Sequence, residues 1–475
     1  MHSPIVDAHC GPVIGVARPG SYAFLGIPYA KAPVGALRFG APEPMDRWST
    51  PRDATHFGPT PQRRSPWAES TIPEPSIPGE ETLNCNVFTP ALDATAGLPV
   101  LVYIHGGGYI AGSHVGAWFD GAAFNRHGVI VVTVSYRLGF DGFGWIEDAP
   151  ANRGLRDLVR ALEWVQENIA AFGGDPHRVT ISGQSAGGGA VLSLLAMPAA
   201  TGLFHGAIAQ SPVIGIATRE QHEANGRRIA AAASVEPTRA GWSALSEEAV
   251  LDVQYGDDRD ETAAHPKTRD LATVRSALCE VVVAWGPAID AHTIPVPPYA
   301  AWVAGAAREV PLLIGATRDE FVAPGGSPWS LDTVELEPAV RVHGDVLVAA
   351  GEADPVGRVA SDVMFRRSVL EVAAARAAGG ARTWIYDFAH RGGRSGLAGH
   401  CLDLPFAWDN LAADGVSAVL GTAPPQGLAD EMHGAWCSFI THGEPGWTEA
   451  GEALRGRVFG GDGEALGDVR AIVRT

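Results

Sequence analysis

Gly183-Gln184-Ser185-Ala186-Gly187 sets a serine among small residues directly after the apolar run Val179-Thr180-Ile181. A turn sharp enough to hold a hydroxyl out at a strand end excludes bulk on either side, and Gly183, Ala186 and Gly187 meet that condition. The segment reads as a strand-turn-helix elbow that presents Ser185 as a nucleophile. With 58 glycines in 475 residues, a plain glycine turn explains the same pattern, so the partners must decide. A serine attacks a carbonyl only with a histidine to take its proton, an acid to orient that histidine, and donors for the developing oxyanion. His105-Gly106-Gly107-Gly108-Tyr109, directly after Val100-Ile104, supplies the donors, because three glycines let successive N–H groups converge on one point. The N–H groups of Gly107 and Gly108, with that of Ala186, form the expected oxyanion hole. No full GxGxxG follows this strand, which weakens a dinucleotide-binding reading.

Sixteen histidines are available as the base. In α/β-hydrolases the triad runs in the chain order Ser, Asp or Glu, His, which places the base late. His390, His400, His433 and His442 qualify by position. His400 lies in Gly399-His400-Cys401-Leu402-Asp403-Leu404-Pro405-Phe406, a small-residue loop after the run Thr383-Phe388, whereas His433 lies in the helical pattern that follows Gln426.

The elements that would carry these groups are short apolar runs of the kind that form buried parallel strands: Val100-Ile104, Val129-Val134, Val179-Ile181, Ala207-Ala209, Pro311-Ile314 and Thr383-Phe388. Between them lie helical patterns, the clearest from Gly154 to Ile169, where Leu155, Leu158, Val159, Leu162, Val165 and Ile169 share one face before Gly173-Gly174. A second helix is predicted from Ala186 and a third over Val363-Ala378. The alternation implies an α/β fold, a mostly parallel central sheet with helices on both faces. No repeat, low-complexity linker or long like-charge run marks a boundary, so residues 1–475 read as one domain with inserted loops. Two insertions stand out. The first is a surface loop over about 58–80 containing Pro59, Pro61, Pro66, Pro73, Pro75 and Pro78; the second is a charged, helical, cap-like segment over about 219–272.

Composition narrows the function further. At 46% apolar and 19% charged the chain is globular, and its net charge of -18 disfavours nucleic acid or an anionic membrane as partner. The start Met1-His2-Ser3-Pro4-Ile5 lacks a signal-peptide pattern and no stretch approaches membrane-span length, which reads as a soluble cytoplasmic protein. Cys10, Cys85, Cys279, Cys401 and Cys437 are scattered without CxxC spacing, so neither a metal nor a disulfide framework is expected.

The chain also resembles the type-B carboxylesterases, the family that includes bacterial para-nitrobenzyl esterases and the cholinesterases. Phe24-Leu25-Gly26-Ile27-Pro28-Tyr29-Ala30, Leu37-Arg38-Phe39, Pro42 and Trp48 are similar to that family's opening hairpin. Glu80-Glu81-Thr82-Leu83-Asn84-Cys85-Asn86-Val87 is similar to its E-D-C-L-x-L-N-V segment. Ser135-Tyr136-Arg137-Leu138-Gly139, Asn152 to Asp157, Gly174-Asp175-Pro176 and Leu203-Phe204 with Gln210-Ser211 follow in the family's order, so the match spans about residues 20–410. The resemblance implies the α/β-hydrolase fold and a cofactor-free carboxylesterase acting on small-molecule esters. Carried onto this sequence, it makes Ser185 the nucleophile, Glu320 the acid and His400 the base, with Asp319 the competitor for the acid and Ser211 a hydrogen-bonding residue behind it. Phe321 stands where the family has glycine, and Thr82 replaces a cysteine that secreted members use in a disulfide. An amidase or carbamate hydrolase would use the same residues, and a non-catalytic binding module would lack the serine. A neutral His400 base implies a rate that rises with pH through about 6 to 7.

Overall fold

The computed structural model describes residues 3–61, 63–64, 70–256, 285–326, 330–333 and 336–473. Its strands are β1 (Ile5–Ala8), β2 (Gly11–Ile14), β3 (Val16–Arg18), β4 (Ser21–Pro28), β5 (Arg52–Asp53), β6 (Asn84–Thr89), β7 (Leu98–Ile104), β8 (Ile130–Val134), β9 (Gly174–Gln184), β10 (Gly206–Gln210), β11 (Leu312–Thr317), β12 (Thr383–Phe388) and β13 (Gly456–Phe459). β1, β2 and β5 form a small sheet, and the other ten form one sheet in the order β13-β12-β11-β10-β9-β7-β8-β6-β4-β3. From β13 to β8 every pairing is parallel, and β6, β4 and β3 extend the sheet in antiparallel fashion.

The parallel strands read as continuous apolar runs because both of their faces are covered. Along β7, Val100, Val102 and Ile104 join one core with Val132 and Ile181, while Leu101 and Tyr103 join the core on the opposite face with Val131 and Ile208. Successive side chains thus alternate between two dry layers, each such burial contributing about 1.5–3 kcal/mol. The predicted strands all form, with β9 extended at both ends to eleven residues. β1, β2 and β5, of two to four residues each, offer too short a pattern to read in advance.

The helix Arg153–Asn168 matches its periodicity and ends through a 3-10 turn at Gly173, whose φ of 90° a side chain would strain. Ala186–Ala196 starts where the elbow requires. The third predicted helix begins earlier than its apolar pattern suggests: Pro355–Ser361 passes through a π-turn, Asp362–Arg366, into Arg367–Ala378. Buried Arg358, Asp362 and Arg366 hide this run in the sequence, since charges at core positions break the apolar stripe. Within the charged insertion, Arg219–Ala232, Arg239–Ser243 and Glu247–Gly256 are helical, and Ile229, Trp242 and Val250 pack on Phe39, Phe140 and Ile146. Its remainder, 257–272, lies outside the described residues, as does Cys279. The described residues of the proline-rich segment form no helix or strand, and the Glu74 carboxylate accepts the Gly112 N–H at 3.0 Å beside the glycine loop.

Candidate active site

β9 pairs with β10 up to Gln184, so Ser185 is the first residue beyond the sheet and the helix Ala186–Ala196 begins directly after it. Its backbone sits at φ 58°, ψ -122°, a conformation that costs an L-residue about 1–3 kcal/mol. Ser185 N–H donates to the Gln210 carbonyl at 2.9 Å, which ties the strained turn to the neighbouring strand. The flanking glycines are forced by contact: a Cβ on Gly183 would lie 2.4 Å from the Gly187 carbonyl carbon, and one on Gly187 would lie 2.1 Å from Ile104 O. Gly187→Ala is therefore expected to cost about 3 kcal/mol of stability. Urea unfolding of the variant beside the parent checks this, and an unchanged midpoint and m-value would refute the steric account.

The glycine loop comes down beside the serine. A Cβ added at Gly106 would stand 3.1 Å from Ser185 Cβ, and Gly107 and Gly108 have φ values of 110° and 61° that free their N–H groups from regular structure. Neither N–H donates to another protein group among the described residues, and Ala186, at the first helical position, has no intrahelical acceptor. His105 anchors this loop: its Nδ1–H donates to Gly106 O at 2.8 Å, its ring stacks on Tyr136, and burial brings its pKa down to about 4. It stays neutral and structural.

Of the two adjacent acids after β11, Glu320 faces the histidine. Its Oε2 accepts from His400 Nδ1, its Oε1 accepts the Thr317 N–H at 2.8 Å, and its carbonyl accepts the His400 N–H at 3.1 Å. Asp319 is spent on Arg358, Arg391 and the Ala398 N–H; burial would raise its pKa, and the two guanidinium hydrogen bonds hold it below the usual value instead. With Nδ1–H directed at Glu320, the lone pair of His400 Nε2 faces the elbow and accepts from the Gln184 amide at 3.2 Å. Ser185 Oγ itself makes no hydrogen bond among the described residues, so the residue before the serine holds the imidazole.

Other candidates fall elsewhere. His433 donates through Nδ1 to Ala407 O, and His390 packs edge to face with Phe388 and Phe406, so both are engaged elsewhere. The expected hydrogen bond from Ser211 to the acid is not made: Ser211 Oγ is buried without a partner among the described residues, while its N–H donates to Gly315 O at 2.7 Å. Phe321 adopts no positive φ, and its ring lies 5.5 Å from His400 and 5.1 Å from Phe365, which in turn covers the imidazole at 4.9 Å from the π-turn. Asp403, three residues after His400, is an acid that none of the sequence motifs includes. It is fully buried, accepts from Gln210 and Tyr386, and its pKa is pushed up to about 6, chiefly by burial. An acid three residues after the base was the only signal available for it.

A model of the Carboxylesterase family matches residues 2–325. The chain is 35% identical to the para-nitrobenzyl esterase of Bacillus subtilis (strain 168), covering 95% of this chain and 92% of that one. It is 33% identical to the phenmedipham hydrolase of Pseudarthrobacter oxydans, covering 93% and 90% of the two chains. The solved structure of a thermophilic PNB esterase superposes with a TM-score of 0.83 at 31% identity, over 97% of this chain and 96% of that one. The fold expected from the strand and helix alternation is the α/β-hydrolase fold these structures share.

Proposed function

The chain belongs to the carboxylesterase family and is a serine ester hydrolase, and we propose that Ser185, His400 and Glu320 carry its chemistry. The observation that supports this most directly is the pairing of Glu320 with His400 Nδ1, which leaves the Nε2 lone pair turned toward the elbow, where the Gln184 amide holds it. His400 takes the Ser185 proton, Oγ attacks the ester carbonyl, and the alcohol leaves with the proton from the imidazolium to give an acyl-enzyme. Water, activated by the same imidazole, releases the acid. The N–H groups of Gly107, Gly108 and Ala186 receive the tetrahedral oxyanion, each donor worth about a hundredfold to a thousandfold in rate. Nothing in this sequence of steps calls for a cofactor.

The substrate we propose is a small-molecule ester, taken by the whole chain as one domain. No helix among the described residues is long and apolar enough to cross a membrane. Cys10, Cys85, Cys401 and Cys437 are free thiols, which supports a reducing compartment, and we place the enzyme in the cytoplasm. Hydrolysis of p-nitrophenyl butyrate together with stoichiometric labelling by a fluorophosphonate probe tests the reading. Neither would occur in a binding module of the same fold. Comparing a p-nitroanilide with its matching ester then separates an amidase from an esterase.

The pH dependence follows from the site. Burial lowers the pKa of the His400 imidazole, but Cys401 and Glu320 beside it raise it more, so the net value stands well above that of an ordinary histidine. Because the base acts only when deprotonated, activity should rise with pH, and the midpoint for kcat/KM should lie well above the roughly 6.5 of an ordinary imidazole. A profile flat from pH 5 to 8, or a midpoint at or below 6, would count against it.

A further inference from the structure

Away from the elbow, the helix Gln426–His442 carries His433 and Cys437 four residues apart, and His127 follows the short helix Ala122–Arg126 that leads toward β8. The three donor atoms lie within 4.8 Å of one another, with Cys437 Sγ 3.4 Å from His433 Nε2 and the two imidazoles 5.1 Å apart edge to face. We propose that His127, His433 and Cys437 form a binding site for a borderline-soft divalent cation such as zinc, independent of the ester-cleaving site.

The donor geometry fits. Tetrahedral bonds of about 2.0–2.1 Å to nitrogen and 2.3 Å to sulfur set the ligands about 3.5 Å apart, which is the separation already held between Sγ and Nε2. The remaining distance closes by rotation of His127, the one exposed member, whose solvent side also gives the ion its entry path and leaves a fourth position for water. His433 is preset as a ligand: a carbonyl can only accept, so its Nδ1 carries the hydrogen that bonds to Ala407 O at 2.9 Å, and Nε2 is left with its lone pair. The Cys437 thiol gives its proton to solvent as sulfur takes the metal; the charge balance is one proton released per ion bound. Arg126 is the nearby cation, and its guanidinium is paired with Asp409 at 2.6 Å. Two nitrogens and one sulfur favour zinc, cobalt or copper over calcium or magnesium, which require oxygen ligands. An S–H···N bond between Cys437 and His433 would account for those two residues alone, but not for the third donor turned onto them.

Titration of the full chain, freed of metal by dialysis against chelator, with Co(II) and then Zn(II) tests the site. The expected result is one equivalent of cobalt with tetrahedral visible bands and a thiolate-to-cobalt charge-transfer band, all displaced by zinc. His127→Gln, on the surface, should fold as the parent does and weaken binding at least about tenfold, since losing a supporting group alone costs that much. Cys437→Ser should abolish the charge-transfer band. If His127→Gln binds cobalt as tightly as the parent, or if the band is lost instead in Cys401→Ser, the site is not where the geometry puts it.

Discussion

Alanine at position 185 is expected to lower kcat for p-nitrophenyl butyrate by about a millionfold while leaving the protein folded. The size of the effect comes from the division of labour around the elbow. Without Oγ, the His400 base has no proton to take and no acyl-enzyme forms, so only the N–H donors and substrate positioning continue to act, worth about a thousandfold to ten-thousandfold over water. The turn itself does not depend on the hydroxyl: it is held by the Ser185 N–H bond to Gln210 O and by the close contacts of Gly183 and Gly187. Thermal unfolding should therefore stay near that of the parent. Because nucleophile and base act as one unit, adding His400→Ala to the alanine variant should cost little more. Undiminished turnover, or a double variant slowed by the product of the two single losses, would show that Ser185 does not carry the reaction.

Glu320→Gln should reduce kcat by about ten-thousandfold, through the tautomer. A glutamine can direct its NH2 at Nδ1 and leave the imidazole hydrogen on Nε2, pointing the wrong way at the elbow. The neighbouring Asp319→Asn should do the opposite: kcat per folded molecule near the parent's, but stability lower by about 3–5 kcal/mol, because the buried carboxylate answers Arg358 and Arg391 together. Active-site titration and chemical unfolding on the same two preparations separate the effects. A large loss of kcat in the Asp319 variant with normal turnover in the Glu320 variant would exchange the roles assigned to them.

How much of this was legible in the sequence depends on how local the physics is. The elbow and the glycine loop could be read from their letters, since each is a case of backbone approaching backbone too closely for any side chain, as at Gly187 against Ile104 O. The parallel strands were legible because two-sided burial leaves unbroken apolar runs. Choosing Glu320 over Asp319 needed family register, and the structure supplies the physical difference in the arginines that occupy Asp319. What could not be read is what long-range packing creates. The Gln184 amide reaches His400 across 216 positions of sequence, Asp403 acquires its setting from β10 and β12, and Ser211 meets β11 through its backbone N–H while its hydroxyl has no partner among the described residues.

The π-turn at Asp362–Arg366 has a consequence for length rather than for composition. A single π-turn is what one surplus residue makes of an α-helix, and each residue of an α-helix advances the chain by about 100° and 1.5 Å. Deleting one residue there would let the helix heal into regular winding and swing everything on one side of it out of phase with the other. Phe365 could not then remain on the His400 ring while Arg366 also kept Asp362 and Asp468. Substitutions in this turn change one contact at a time; a change of length unscrews the wall of the candidate site from the core that supports it.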